Sequence, residues 1–149
     1  MASSRLVAAP SSGPLNAKDT DFVVTLARIA PSGTVTGIRT GFRRLRYRSG
    51  YDREDFATPG EVSTLTIDMW ATGIRLEPGE RLRVHVSSSA FPGTMRNLNT
   101  GEPDLTATKS VVAHQTIFHD AAHPSYVTLP VIPRDGLGEL WFAPAATAR

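Results

Sequence analysis

The chain has 149 residues and no cysteine: long enough to bury a core without staples, and barred from disulfides and thiolate metal sites. Its net charge is +2, with 16 cationic residues, all but two of them arginine, nearly balanced by 14 carboxylates; the sequence pI of about 9.4 reflects the arginines, but so small a net charge is weak evidence for nucleic acid and no such partner is expected. The N-terminal apolar stretch Leu6-Val7-Ala8-Ala9 is too short for a signal-peptide core or a membrane span, so the expectation is a soluble cytoplasmic protein with no membrane partner.

In chain order, residues 1–20 read as an N-terminal arm, partly disordered or a remnant strand, residues 21–133 as a β-sandwich domain, and residues 134–149 as a C-terminal tail. Eleven prolines and twelve glycines punctuate short runs rich in Val, Ile, Leu and Thr, the pattern of an all-β domain. Alternation predicts a strand over 21–30 that buries Phe22, Val24 and Leu26, and another over 61–69 that buries Leu65, Ile67 and Met69. A further strand is expected over 42–48, with Arg44, Arg46 and Arg48 in an outward row. Arg81 to Val86 alternates most cleanly, with Leu82, Val84 and Val86 expected inward. Strands are also expected over 111–118 and 126–131, the latter carrying Val127, Leu129 and Val131 on one face. Long connections over 49–60 and 90–109 favour a sandwich or jelly roll over a barrel of uniform hairpins.

Several chemistries are missing. No serine has the flanking glycines of a nucleophile elbow, and no helical period supplies the crossovers of a parallel sheet, so no catalytic triad is expected in this chain. Gly136-Leu137-Gly138 lacks the remainder of a phosphate-binding loop and reads as a terminal turn. His119 and His123 have a spacing that would suit zinc on a helix, but Pro124 and the preceding strand favour a turn in which His119 or Asp120 caps backbone groups. They are therefore weak metal candidates, and no metal or cofactor is expected. His85 and His114 read as ordinary strand histidines. The arginines of 43–48 would suit an acidic partner, yet with no interleaved aromatics they read better as pairing with neighbouring carboxylates.

Five ordered segments carry more information than any one alone: Asp19-Thr20-Asp21-Phe22, Gly60-Glu61 with Ile67-Asp68-Met69-Trp70, Ser88-Ser89-Ala90-Phe91-Pro92, Asn97-Leu98-Asn99-Thr100-Gly101-Glu102, and Gln115 through Pro124. Together they resemble the C-terminal non-catalytic β-sandwich of the X-Pro dipeptidyl-peptidase and cocaine esterase-like serine hydrolases. The resemblance implies a jelly-roll, galactose-binding-like sandwich that packs on an α/β-hydrolase catalytic domain, not present in this chain, and helps shape its cleft. Enzymes of this group include dipeptidyl-peptidases, esterases and acylases, so the substrate class stays open.

The long loop fits such a role. Phe91, Arg96, Asn97, Asn99 and Thr100 are the candidate binding residues, as a cleft or interface loop, with short polar side chains holding an irregular backbone. Trp70 is expected in the core, whereas Phe91 suits core and partner equally. Relatives usually carry additional strand sequence before the Asp19 segment. Here that region is short, so an exposed sheet edge and a homodimer through it are expected. Two other readings compete: a free-standing carbohydrate- or ligand-binding jelly-roll module, and a metal enzyme built on His119 and His123.

Overall fold

The computed structural model describes residues 2–10 and 17–132; the turn at 136–138 and the tail at 134–149 lie outside them. Among the described residues, seven strands form two antiparallel sheets: β1 (Ser3–Pro10), β2 (Asp21–Ile29), β3 (Val35–Arg44), β4 (Ser63–Asp68), β5 (Arg81–Ser87), β6 (Gln115–Phe118) and β7 (Tyr126–Thr128). One sheet has the order β4-β1-β6, with β7 also on β1; the other is β3-β2-β5. The expected all-β sandwich is what the chain forms.

The core lies between the sheets. From one come Phe22, Val24 and Leu26, from the other Leu6, Ala8, Leu65 and Ile67, joined by Met69 and Leu45, all buried. Each fully buried aliphatic or aromatic side chain contributes about 1.5 to 3 kcal/mol of apolar transfer, which fixes strand register because a one-residue slip would turn each set to water. The two expected faces, Phe22/Val24/Leu26 and Leu65/Ile67/Met69, are therefore as read.

Ser3–Pro10 supplies the central strand of its sheet, its Leu6 opposite Leu65 and its Ala8 opposite both Ser63 and Ile117. The Ser125 hydroxyl accepts the Val7 N–H at 2.9 Å and donates to the Phe118 carbonyl, clipping the β6–β7 connection onto β1.

Four expectations are corrected. The strand expected over 42–48 is β3, ending at Arg44, and Leu45–Tyr47 is a short 3-10 turn. The Leu45 N–H turns to the Thr20 carbonyl at 2.8 Å and the Arg46 N–H to the Asp19 carboxylate at 2.8 Å, so the backbone leaves the ladder and no outward arginine row exists. Trp70 is 65% exposed, not core. Its N–H binds the Asp68 carboxylate at 2.7 Å and its φ is 61°, an Asx turn that swings the ring outward after Met69 has filled the core position.

Leu82 and Val84 are 39% and 46% exposed, although their β2 partners Arg28 and Leu26 place them on the inner face; only Val86 of that set packs on the core. The facing sheet does not reach them. The strands over 111–118 and 126–131 are shorter than expected, because Val111 binds loop residues through both backbone groups and Val131 is 78% exposed.

Candidate functional site

The densest polar structure in the protein gathers at the start of β2. Asp19 and Asp21 are both buried. Asn97 bridges them, its amide donating to Asp19 Oδ2 at 2.8 Å and to Asp21 Oδ1 at 2.9 Å. Arg44, opposite Asp21 in the β2–β3 ladder, grips it with two nitrogens at 2.9 and 3.2 Å, and also pairs with Asp104. Arg46 holds Asp19 through Nε at 2.7 Å and Glu54 through Nη1 at 3.0 Å, with Asp104 Oδ1 at 3.7 Å from its Nη2. Four carboxylates thus face two guanidiniums, and the two neutral donors of Asn97 relieve the excess where the acids come closest.

This cluster pins three loops to one point. Lys18 gives its N–H to the Asn99 carbonyl and accepts the Ala57 N–H, while Asp55 N–H reaches the Arg46 carbonyl. Asn97 Oδ1 accepts the Asn99 N–H at 2.8 Å, and Asn99 Nδ2 reaches the Val111 carbonyl at 2.8 Å. Asn99 has φ 63°, a left-handed conformation that asparagine tolerates better than most residues. Gly101 is also left-handed, and a Cβ there would stand 3.0 Å from the Phe56 ring, so a larger residue would be strained and would have to displace that ring. Gln115 then joins β6 to Thr20, tying the two sheets together at the cluster.

Burial opposes the charge of both arginines, yet the paired carboxylates outweigh it: Asp21 and Asp104 raise the pKa of Arg44, and Asp19 and Glu54 raise that of Arg46. The Arg46 guanidinium holds Glu54 below the usual carboxylate range, helped by the Tyr47 hydroxyl. The His123 N–H, followed by that of Ala122, does the same for Asp120.

The raised arginine values contribute stability at every pH below the guanidine range. The lowered Glu54 and Asp120 values contribute stability present above the unfolded carboxylate pKa and lost as pH falls through the folded one. A melting temperature that is flat near neutrality and drops below about pH 4 is therefore expected in circular-dichroism melts, with Glu54→Gln flattening the acid limb. A melting temperature that rises on acidification would contradict this.

The family model for the X-Pro dipeptidyl-peptidase C-terminal non-catalytic domain matches residues 14–128. That span holds the whole ion cluster and six of the seven strands. The chain belongs to this family. Cocaine esterase from Rhodococcus sp. (strain MB1 Bresler) is 37% identical over 123 residues, covering 80% of this chain and 21% of that enzyme. Two solved structures share the fold: an aminopeptidase from a marine sediment Thaumarchaeota archaeon (TM-score 0.70, 25% identity, 85% of this chain and 22% of that one) and an α-amino acid ester hydrolase (TM-score 0.74, 25% identity, 88% and 22%). The chain thus spans about a fifth of the length of each relative.

Against this non-catalytic domain, the residues singled out from sequence divide in two. Asn97 and Asn99 turn inward and hold the loop, and Thr100, half-buried, accepts the Glu102 N–H at 3.2 Å. Phe91 and Arg96 lie on its outer surface, Phe91 being 68% exposed beside a cis bond to Pro92. His123 stacks on Phe118 at 5.2 Å and faces Asp120, whose Oδ1 accepts the Ala122 and His123 N–H groups at 2.9 Å. His119 and His123 therefore flank an Asp120-capped turn, and among the described residues no three His, Asp or Glu side chains are arranged so that they could hold a metal ion. Sequence reasoning gave no role to Asp19, Asp21 or Asp104. The usable signal was the matched spacing of Asp19 and Asp21 with Arg44 and Arg46, two acids and two bases each separated by one residue.

Proposed function

We propose that this chain is an accessory, non-catalytic sandwich that packs on an α/β-hydrolase catalytic domain outside this chain and helps shape the cleft in which that domain binds its substrate. The observation that carries this reading is the strip of inner-face apolar surface on β5: Leu82 and Val84 lie on the core side of their sheet, and the described residues cover them only in part, leaving 39% and 46% exposed. A sheet that exposes part of its core face is built to be covered. The pinned loop supports the same reading, with Asn97, Asn99 and Thr100 fixing the backbone and Phe91 and Arg96 offered outward as contacts. The relatives' names, an esterase, an aminopeptidase and an amino acid ester hydrolase, are consistent with a partner domain that cleaves an ester or amide.

The chain alone is expected to resist a fluorophosphonate serine-hydrolase probe and to leave chromogenic X-Pro and short-chain ester substrates intact. Labelling would sink the accessory reading. In isolation the free edge of β5 is expected to pair with a second copy, since antiparallel pairing about Val84 sets Leu82 opposite Val86 and joins the apolar strips. Sedimentation velocity at micromolar concentration then gives a dimer, and a Leu82→Lys/Val84→Lys variant a monomer. A monomeric wild-type chain removes the dimer but leaves the accessory role standing.

A further inference from the structure

A second polar feature lies at the far end of β2. Arg28 and Asp21 are seven residues apart on that strand, about 23 Å at the usual rise, so this region is separate from the ion cluster. Here a groove of about 830 Å³ opens between β3 and residues 71–77. Its origin is a β-bulge. Leu26 pairs with Arg39 and Ala27 with Gly37, leaving Ile38 as the extra residue of β3. Strand neighbours normally face opposite ways, but here Ile38, packed on the core, and Arg39, whose Nε reaches the Ala71 carbonyl at 3.0 Å, both line the groove.

The groove's charged lining is three arginines, Arg28, Arg39 and Arg75, and one carboxylate, Glu77. Arg28 has Glu80 at 3.5 Å and Arg75 has Glu77 at 2.8 Å. Arg39 is different: among the described residues it has no carboxylate partner. Arg39 is exposed, and its bond to Ala71 uses Nε alone, which draws the guanidinium toward residues 71–77 and leaves both terminal nitrogens for another acceptor. Those two nitrogens match a carboxylate or phosphate in two-pronged geometry. Beside it, Ile38 and the 44% exposed Ile74 offer apolar surface. The groove is open to solvent, so a bound molecule would lie along it rather than be enclosed.

We propose that this groove binds a small organic anion, its carboxylate or phosphate group on Arg39 and Arg28 and its hydrocarbon portion against Ile38 and Ile74. The proposal is independent of the accessory role, because the groove needs no contribution from a catalytic domain. The test is isothermal titration of the full chain with hexanoate and hexyl phosphate, with n-hexanol as the uncharged analogue, at low and high salt. Saturable binding of an anion, weakened by salt and not reproduced by hexanol, is expected. The tighter of the two anions identifies the preferred headgroup, and either preference supports the site.

Arg39→Gln is expected to weaken binding about tenfold. Since Arg39 also ties β3 to Ala71, Gly73→Leu serves as a second variant: Gly73 lines the groove and a Cβ there meets nothing within 4 Å, so added bulk is tolerated by the fold, and binding is expected to weaken while the melting temperature holds. No saturable binding of either anion, equal binding of hexanol, or wild-type affinity in both variants would overturn the proposal.

Discussion

Replacing Arg46 by alanine is expected to destabilise the chain by about 3 to 5 kcal/mol, the range seen when one partner of a buried ion pair is removed. The Arg46 side chain is 5% exposed and that of Asp19 is 0%. Removing the guanidinium leaves the Asp19 carboxylate with Asn97, the Arg46 backbone N–H and a more distant Arg44, whose Nε is 3.9 Å away. Those contacts compensate only part of its desolvation. For a domain of this size the melting temperature should fall by about 6 to 20 °C. Arg46→Lys keeps the charge but cannot hold Asp19 and Glu54 with a fork, so its loss should be intermediate. Because the cluster anchors the 49–62 and 88–114 loops, amide exchange at Asp55, Asn99 and Val111 should accelerate before the sheets open. A cost below about 1 kcal/mol would mean that the cluster is hydrated and worth no more than a surface pair.

The strands with one buried face were legible because alternation and burial coincide in them: β2 and β4 bury the residues their period assigns. β5 has the cleanest alternation in the sequence and is the least buried, since periodicity states which residues share a face and is silent on whether anything lies opposite. Trp70 failed for a related reason. Size argues for burial, but the Asp68 turn decides direction, and that turn is a three-dimensional event. The arginine run was half legible: its pairing with carboxylates was the preferred reading, but a row along a strand was the wrong geometry, because the partners Asp19 and Asp104 lie 27 and 58 positions from Arg46 and pull the backbone out of the ladder. The role of Asn97 was visible only as loop stiffening, whereas its bridge to Asp19 and Asp21 joins positions more than 70 residues apart.

The cluster and the groove sit at opposite ends of β2 and are held by different means. At one end charge is saturated, with each of Arg44 and Arg46 facing three carboxylates, which suits a fixed scaffold. At the other, Arg39 is held by a backbone carbonyl and its charge is left unmet. Saturated charge builds rigidity, and unmet charge on a tethered side chain is open to a ligand.

That tether depends on how closely β3 approaches the edge of β4, and Gly41 sets the approach. A Cβ built there would lie 2.4 Å from the Asp68 carbonyl oxygen and 2.9 Å from Ile67 Cγ2. Arg43 Nε reaches the Thr66 carbonyl at 3.2 Å and Arg39 Nε the Ala71 carbonyl at 3.0 Å, so the two sheets are stitched on either side of the glycine. Gly41→Ala would normally gain about 0.4 to 1 kcal/mol by restricting the unfolded chain. Here the clash is with backbone, which cannot rotate away as a side-chain end can, so the overpacking penalty of about 1 to 3 kcal/mol or more should win. A net loss of about 2 kcal/mol is expected in urea unfolding, with the slope unchanged, and Gly41→Val should be worse. Parting the sheets there also moves Ala71 away from Arg39, so the same substitution should weaken anion binding in the groove without touching a groove residue. A neutral or stabilising Gly41→Ala would show that β3 and β4 can separate freely, and would remove the structural basis for a tethered Arg39.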